Sequence, residues 1–387
     1  MKIGSRRTIL GAMKTASVCL LAIASASGQV EQKPPMAEDA FKNVQALKGI
    51  SVAEFMGTMG FFSASLGLNC TDCHISESSG DWGKYADDTA LKRTTRRMIL
   101  MVNNLNKGEF GGRRAVTCYS CHRGAGFPKG VPSLAEQYGT PPPDDPNEVE
   151  ILGQAPATPT ANQVLDKYLQ ALGGAQSLAK LSSFVAKGTY EGYDTDFEKV
   201  PIDIFAKAPS QRTTIVHLRV GDSITTYDGR GGWVASPDKP LPLLTLAGKD
   251  LDGLKLEADL SFPTMLQQNL TGWRAGFPKA TIADRDVQVI QGTGAGGSRI
   301  KLFFDKESGL LVRTVRYTVT AVGIIPAQTD YSDYRDVAGV KLPFHWTATW
   351  TDGQSTIELS EVQPNTSIEA AKFAKPAPAP PPKTAAR

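Results

Sequence analysis

The sequence predicts two domains: an all-α domain first, then a curved, mainly antiparallel β sheet with a few helices. Three observations lead there. Apolar residues recur at helical spacing up to about residue 106. Beyond residue 183 the pattern changes to short alternating runs separated by turn residues. Between these lie eight prolines, from Pro128 to Pro159, with Asp144, Asp145, Glu148 and Glu150 among them, a composition that predicts a semi-extended linker. The expected boundaries are 1–27 for a cleaved leader, 41–130 for the helical domain, 131–159 for the linker and 160–373 for the β-rich domain. Residues 374–387, with five prolines, are expected to be a disordered tail.

The leader is read from Lys2, Arg6 and Arg7, an apolar run from Ala16 to Ala26, and the small residues Ala22, Ala24 and Ala26. The run is too short to span a bilayer. Cys19 falls inside it and would be discarded with it. Residues 1–30 hold four of the 42 basic residues and no acid, so the net charge of +3 comes mostly from the leader. The remainder is near neutral, without the basic stripe that nucleic-acid binding needs.

In the helical domain, Val52, Phe55, Met56, Met59, Phe62 and Leu66 predict a helix over Val52–Leu66, ended by Gly67. Asp88 and Thr89 can cap a second helix running to about Asn106. Its apolar stripe is Leu91, Thr94, Met98, Met101, Val102 and Leu105, with Lys92, Arg93, Arg96 and Arg97 near the other side.

Two copies of one five-residue word follow these helices: Cys70-Thr71-Asp72-Cys73-His74 and Cys118-Tyr119-Ser120-Cys121-His122. Cys-x-x-Cys-His is the attachment signature for c-type haem. On a helical turn, residues i, i+3 and i+4 share a face. Cys70 with Cys73, and Cys118 with Cys121, can then each form two thioethers to one porphyrin, leaving His74 and His122 as proximal iron ligands. Zinc is the weaker alternative, because it gives no reason for a histidine after each second cysteine. Cysteine count alone does not exclude disulfides. The reading is therefore two covalently bound haem c groups.

A second axial ligand must come from elsewhere, and no other histidine precedes residue 130. Methionine suits electron transfer, since His/Met ligation raises the potential. Spacing alone leaves Met56, Met59, Met98 and Met101 as equal candidates. Arg93, Arg96, Arg97, Arg113, Arg114 and Arg123 could meet haem propionates, with Arg123, beside His122, as first choice.

Glu54-Phe55 with Met59 before Cys70, and Arg96-Arg97-Met98 with Met101 before Val116-Thr117-Cys118-Tyr119-Ser120-Cys121-His122-Arg123-Gly124, closely resemble the cytochrome c subunit of photosynthetic reaction centres. The resemblance covers about residues 43–130. It implies Met59 as distal ligand of the first haem and Met98 of the second. The family carries more haems than two motifs can hold, so the resemblance implies electron transfer rather than the whole family architecture.

In the β-rich domain a helix is predicted from about Ala161 to Leu172, stopped by Gly173-Gly174, and another region from Leu251 to Leu270, interrupted at Pro263. Strands are expected at 183–190, 202–207, 212–219, 223–227, 286–291, 299–304, 311–320, 328–334 and 345–351. Three phrases resemble outer-membrane lipoprotein carriers of the LolA type. They are Tyr227-Asp228-Gly229 with Gly232-Trp233, Phe304 to Leu311, and Asp330 to Pro343. That likeness implies a β half-barrel around an apolar cavity. His217 and His345 stand alone, and no catalytic motif is present.

These residues predict an exported or periplasmic dihaem electron carrier rather than an enzyme, with membrane association as an open alternative. Its partner would be a periplasmic redox protein or a membrane-bound electron-transfer complex. The alternatives are lipid, lipoprotein or quinone binding by the β domain, and a dihaem peroxidase with one open iron.

Overall fold

The computed structural model describes residues 33–75, 81–140, 145–147, 151, 153, 156–276 and 280–381. The expected leader, Cys19 and the last six residues lie outside them. Residues 33–387 form one contact-connected unit.

The first part is helical: α1 (Ala37–Ala40), α2 (Val52–Leu66), α3 (Cys70–Cys73), α4 (Ala90–Glu109), α5 (Cys118–His122) and α6 (Leu134–Tyr138), with one isolated bridge between Met36 and Ser51. Local chemistry sets these bounds. Ser51 Oγ accepts from Glu54 N–H and opens α2, and Gly67 closes it in the left-handed region. Thr89 Oγ1 accepts from Lys92 N–H at the start of α4.

The second part is one open antiparallel sheet with helices α7 (Ala161–Ala171), α8 (Gly174–Lys180), α9 (Asp252–Ser261) and α10 (Leu266–Asn269). Its strands are β1 (Ser183–Gly192), β2 (Val200–Lys207), β3 (Gln211–Leu218), β4 (Gly221–Tyr227), β5 (Gly232–Ala235), β6 (Leu244–Leu246), β7 (Thr271–Ala275), β8 (Ala280–Ile282), β9 (Arg285–Thr293), β10 (Arg299–Asp305), β11 (Leu311–Val319), β12 (Ile324–Val337), β13 (Val340–Trp350) and β14 (Gly353–Pro364). The order is β6-β5-β4-β3-β2-β1-β14-β13-β12-β11-β10-β9-β7, with β8 beside β9. All nine expected strands are present, and β5, β6, β7, β8 and β14 are additions. The first strand of this part lies between β2 and β14, the last.

The main core fills one face of the sheet. Phe184, Ile202, Ile204, Ile300, Leu302 and Phe304 pack there against Tyr168 of α7, Leu256 of α9 and Leu266 of α10. Strands β9 and β10 are buried on both faces over Val287–Gly292 and Ile300–Asp305. Phe303 and Val315 face the other way and pack with Ile151. The segment expected as a linker is therefore held at two points. Ile151 O accepts from Arg274 Nη1 (3.2 Å), and Asn147 donates to Gln328 Oε1 (2.6 Å). Asn147 O also receives the ammonium of the buried Lys301 at 3.0 Å. The expected tail is tied down as well, since Ala379 N–H donates to Pro242 O (2.8 Å).

The two parts share an interface that the division into domains did not anticipate. Phe61 and Phe62 of α2, Ile99 of α4 and Val322 of the β11–β12 turn form one buried cluster. A Cβ on Gly323 would stand 2.2 Å from the Phe61 ring, so only glycine admits that ring. Glu54, 9% exposed, pairs with Lys249 Nζ at 2.8 Å and accepts from Ala321 N–H at 2.9 Å. Ser51 Oγ donates to Asp250 Oδ2 (2.7 Å).

Candidate functional site

The first Cys-x-x-Cys-His word opens on Asn69, whose side chain accepts from Asp72 N–H (3.1 Å) while Asp72 Oδ2 accepts from Asn69 N–H (2.8 Å). That capping box winds Cys70–Cys73 into one helical turn. Thr89 Oγ1 donates to Cys73 O (2.6 Å), tying the word to the start of α4. His74 Nδ1 lies 3.1 Å from Tyr85 O. A carbonyl only accepts, so Nδ1 carries the proton and the Nε2 lone pair is left for a metal. Burial first, then the charge of Lys92, hold His74 below the ordinary imidazole value, which favours the neutral, ligating ring.

Cys70, Cys73 and His74 line a cavity of about 390 Å³, within the range of small-molecule and cofactor sites. Its walls include Met56, Met59, Phe62 and Leu66 of α2, and Trp82 and Tyr85 after the word. Tyr85 tilts against His74 (4.7 Å between centroids) and stacks on Trp82 (4.9 Å). Lys92, Thr95, Arg96 and Ile99 of α4 complete that side. Here the structure corrects the expected orientation of α4. Lys92, read near the side opposite the apolar stripe, and Arg96, read as a candidate for haem propionates, both look into the first cavity, on the face of the buried Ile99. Arg96 is held by Asp88 at 2.8 Å, and Lys92 donates to Tyr85 O at 2.8 Å. The apolar stripe with Leu91, Met98, Met101 and Leu105 is the exposed one, and only Val102 of that set is buried.

The second word is placed by Asn106, buried near the end of α4. Its Oδ1 accepts from Ala115 N–H (3.0 Å) and Val116 N–H (2.9 Å), and its Nδ2 donates to Val116 O (2.7 Å). Thr117 N–H then donates to Ser120 Oγ (3.0 Å), starting the turn Cys118–His122. His122 Nδ1 lies 3.0 Å from Ala125 O, so this ring too keeps Nε2 free. Gly124 N–H donates to Ser65 O (3.0 Å), fixing the word to the end of α2. Arg123 sits in the left-handed region at φ 48° and is exposed, pointing to no partner with the clarity of Arg96.

None of the four cysteines of the two words is in a disulfide; Cys70 and Cys121 are exposed, Cys73 and Cys118 half-buried. Burial, then Asp72 and Cys70, push the Cys73 thiol up, and burial does the same to Cys118. Among the described residues no three Cys, His, Asp or Glu side chains converge as a metal cluster, so the two words do not join into one centre. Two thiols and one imidazole with a free Nε2, repeated, fit covalent haem. Sequence reading missed Trp82, Tyr85, Pro240 and Asp352 as wall residues of the first cavity. The aromatic pair could have been found from its position just after the word. Pro240 and Asp352 come from the sheet, and no local pattern marks them.

Residues 10–162 match the family model of the photosynthetic reaction centre cytochrome C subunit. The photosynthetic reaction center cytochrome c subunit of Thermochromatium tepidum is 32% identical over 152 residues, 31% of this chain and 36% of that protein. That of Rubrivivax gelatinosus is 35% identical over 101 residues, 25% of this chain and 26% of its own length. The chain thus spans about a third or less of these relatives. The resemblance carried by the motif-flanking residues holds. Over the β part, a LolA superfamily protein from Nitrosomonas europaea aligns with 56% of this chain and 99% of its own, at 15% identity and TM-score 0.40. A putative outer membrane lipoprotein-sorting protein domain from Vibrio parahaemolyticus covers 55% and 97%, at 10% identity and TM-score 0.38.

Proposed function

We propose that this chain is a dihaem c-type electron carrier that passes single electrons between partners outside the cytoplasmic membrane. The observation that carries it is the pair of histidines, each with Nδ1 held by a backbone carbonyl and each preceded by two cysteines that are in no disulfide. Cys70 and Cys73 anchor one haem and Cys118 and Cys121 the other, with His74 and His122 proximal. Met59 and Met98 are the distal ligands. A haem with His and Met ligands exchanges one electron at raised potential and keeps no open position for substrate.

The residues around each word orient and shield. Tyr85 and Ala125 fix the imidazole tautomers. Arg96 and Lys92 supply cations for propionates in the first cavity. Trp82, Tyr85, Phe62 and Ile99 keep water from it. The basic leader and apolar run support export to the periplasm, where a redox protein or a membrane-bound complex would be the partner. Among the described residues no helix is long and apolar enough to cross a membrane. An apolar ligand in the β part is the lesser reading, because the sheet's main core face is already filled by side chains from α7, α9 and α10.

The test is intact mass together with optical spectra. Two covalent porphyrins, a sharp α-band on reduction and the weak ferric Met–Fe charge-transfer band are expected. Met98→Ala should halve that band and Met101→Ala should leave it. A colourless protein with four alkylatable thiols overturns the proposal. A high-spin ferric fraction in the unaltered protein moves it to the peroxidase reading.

A further inference from the structure

Helix α2 has two working faces. Met56, Met59, Phe62, Ser63 and Leu66 look into the first cavity. Glu54, Gly60 and Phe61 meet the sheet: Glu54 through Lys249 and Ala321, and Phe61 through Gly323. At Gly60 a Cβ would lie 2.6 Å from the Asp352 carboxylate, which comes from the β13–β14 turn. Asp352 and Pro240 are themselves part of the cavity wall. The sheet therefore fixes the helix that carries Met59 and supplies two pieces of wall. The second word is held by Asn106 and by the end of α2, with Cys118 packed against the cluster of Phe61 and Val322 and with Tyr119 and Cys121 exposed.

We infer that the β sheet is a component of the first haem site, where Asp352 sets the potential of that haem and not of the second. Gly323, Glu54 and Lys249 act as positioning residues for Met59, and Asp352 places a carboxylate beside the first seat. This rests on the dihaem reading above. A carboxylate near the iron favours the more positive oxidised state. Its removal makes one-electron reduction easier at the first haem alone, with no bond made or broken and the electron supplied by a chemical reductant.

The experiment is a mediated redox titration of the full chain carrying both haems, with the charge-transfer band recorded alongside. Met59→Ala identifies which transition belongs to the first haem. Asp352→Asn, a change in a turn, should shift that transition upward by roughly threefold in the reduction equilibrium, about 30 mV at 59 mV per tenfold, and leave the other in place. Gly323→Ala, which drives a methyl into Phe61, should weaken the band of the first haem, whose Met59 packs on that cluster. Equal movement of both transitions in Asp352→Asn, or movement of neither, overturns the inference while the dihaem reading stands. Unaltered protein lacking two haems overturns the reading beneath it, and the two failures are thereby told apart.

Discussion

The two Cys-x-x-Cys-His words are nearly the same in sequence and differ in setting. The first lies in a cavity whose walls come from α2, α4, the Trp82–Tyr85 turn and two points of the sheet. The second is a turn nearer the surface, with Tyr119 51% exposed, Cys121 exposed and Cys118 half-buried against the cluster of Phe61 and Val322. Five residues suffice to present two thiols and an imidazole. Enclosure requires contributions from residues up to 280 positions away, and so the two sites differ in what they share with the rest of the fold. An enclosed site feels changes in the sheet, whereas an exposed one is open to partners.

The strongest way to break this comparison is to remove one site. Cys118→Ala with Cys121→Ala should lower the intact mass by one porphyrin and leave the spectrum of the first site unchanged. Phe61→Ala comes next. It empties the centre of the cluster joining α2 to the sheet and should cost about 3–5 kcal/mol in denaturant unfolding. Both sites should loosen, since Met59 and Cys118 both pack against that cluster. Glu54→Ala leaves Lys249 and Ala321 N–H without their carboxylate. Breaking a buried pair costs about 3–5 kcal/mol, but Lys249 is 31% exposed, so about 2 kcal/mol is expected, read from the same unfolding curves.

The smallest effect sharpens the comparison from outside both sites. Burial lowers the pKa of His217, but Asp222 and Asp203 on neighbouring strands outweigh it and the net shift is upward. This stabilisation is complete below the unfolded imidazole value of about 6.5 and is lost as pH rises through the folded one. The side chain is 35% exposed, so the contribution stays under about 1 kcal/mol. His217→Gln should flatten the pH dependence of the melting temperature above pH 6.5, with both haem spectra unmoved.

Much of this was legible because it is local. Ser51 and Gly67 bracket α2, Thr89 opens α4, and the nine expected strands carry alternating apolar residues. β14 was not legible, since Gly353–Pro364 is largely polar and buries only Ser355 and Leu359. The apolar stripe of α4 is largely exposed, whereas Arg96, a propionate candidate from the sequence, does line the first cavity. Here the buried face of α4 is the one bearing Lys92, Arg96 and Ile99. The cavity contributions of Pro240 and Asp352, and the hold on Asn147 and Ile151, depend on tertiary pairing that no window of sequence encodes.

The pairing of β1 with β14 bears on how such a chain is made. A polypeptide emerging from its N-terminus displays both Cys-x-x-Cys-His words long before residues 353–364 have been synthesised. Until the last strand arrives, the sheet has a gap at its middle, and the β13–β14 turn that walls the first seat does not exist. The first word therefore has an interval without that wall, whereas the second stays exposed at Cys121 in the finished fold.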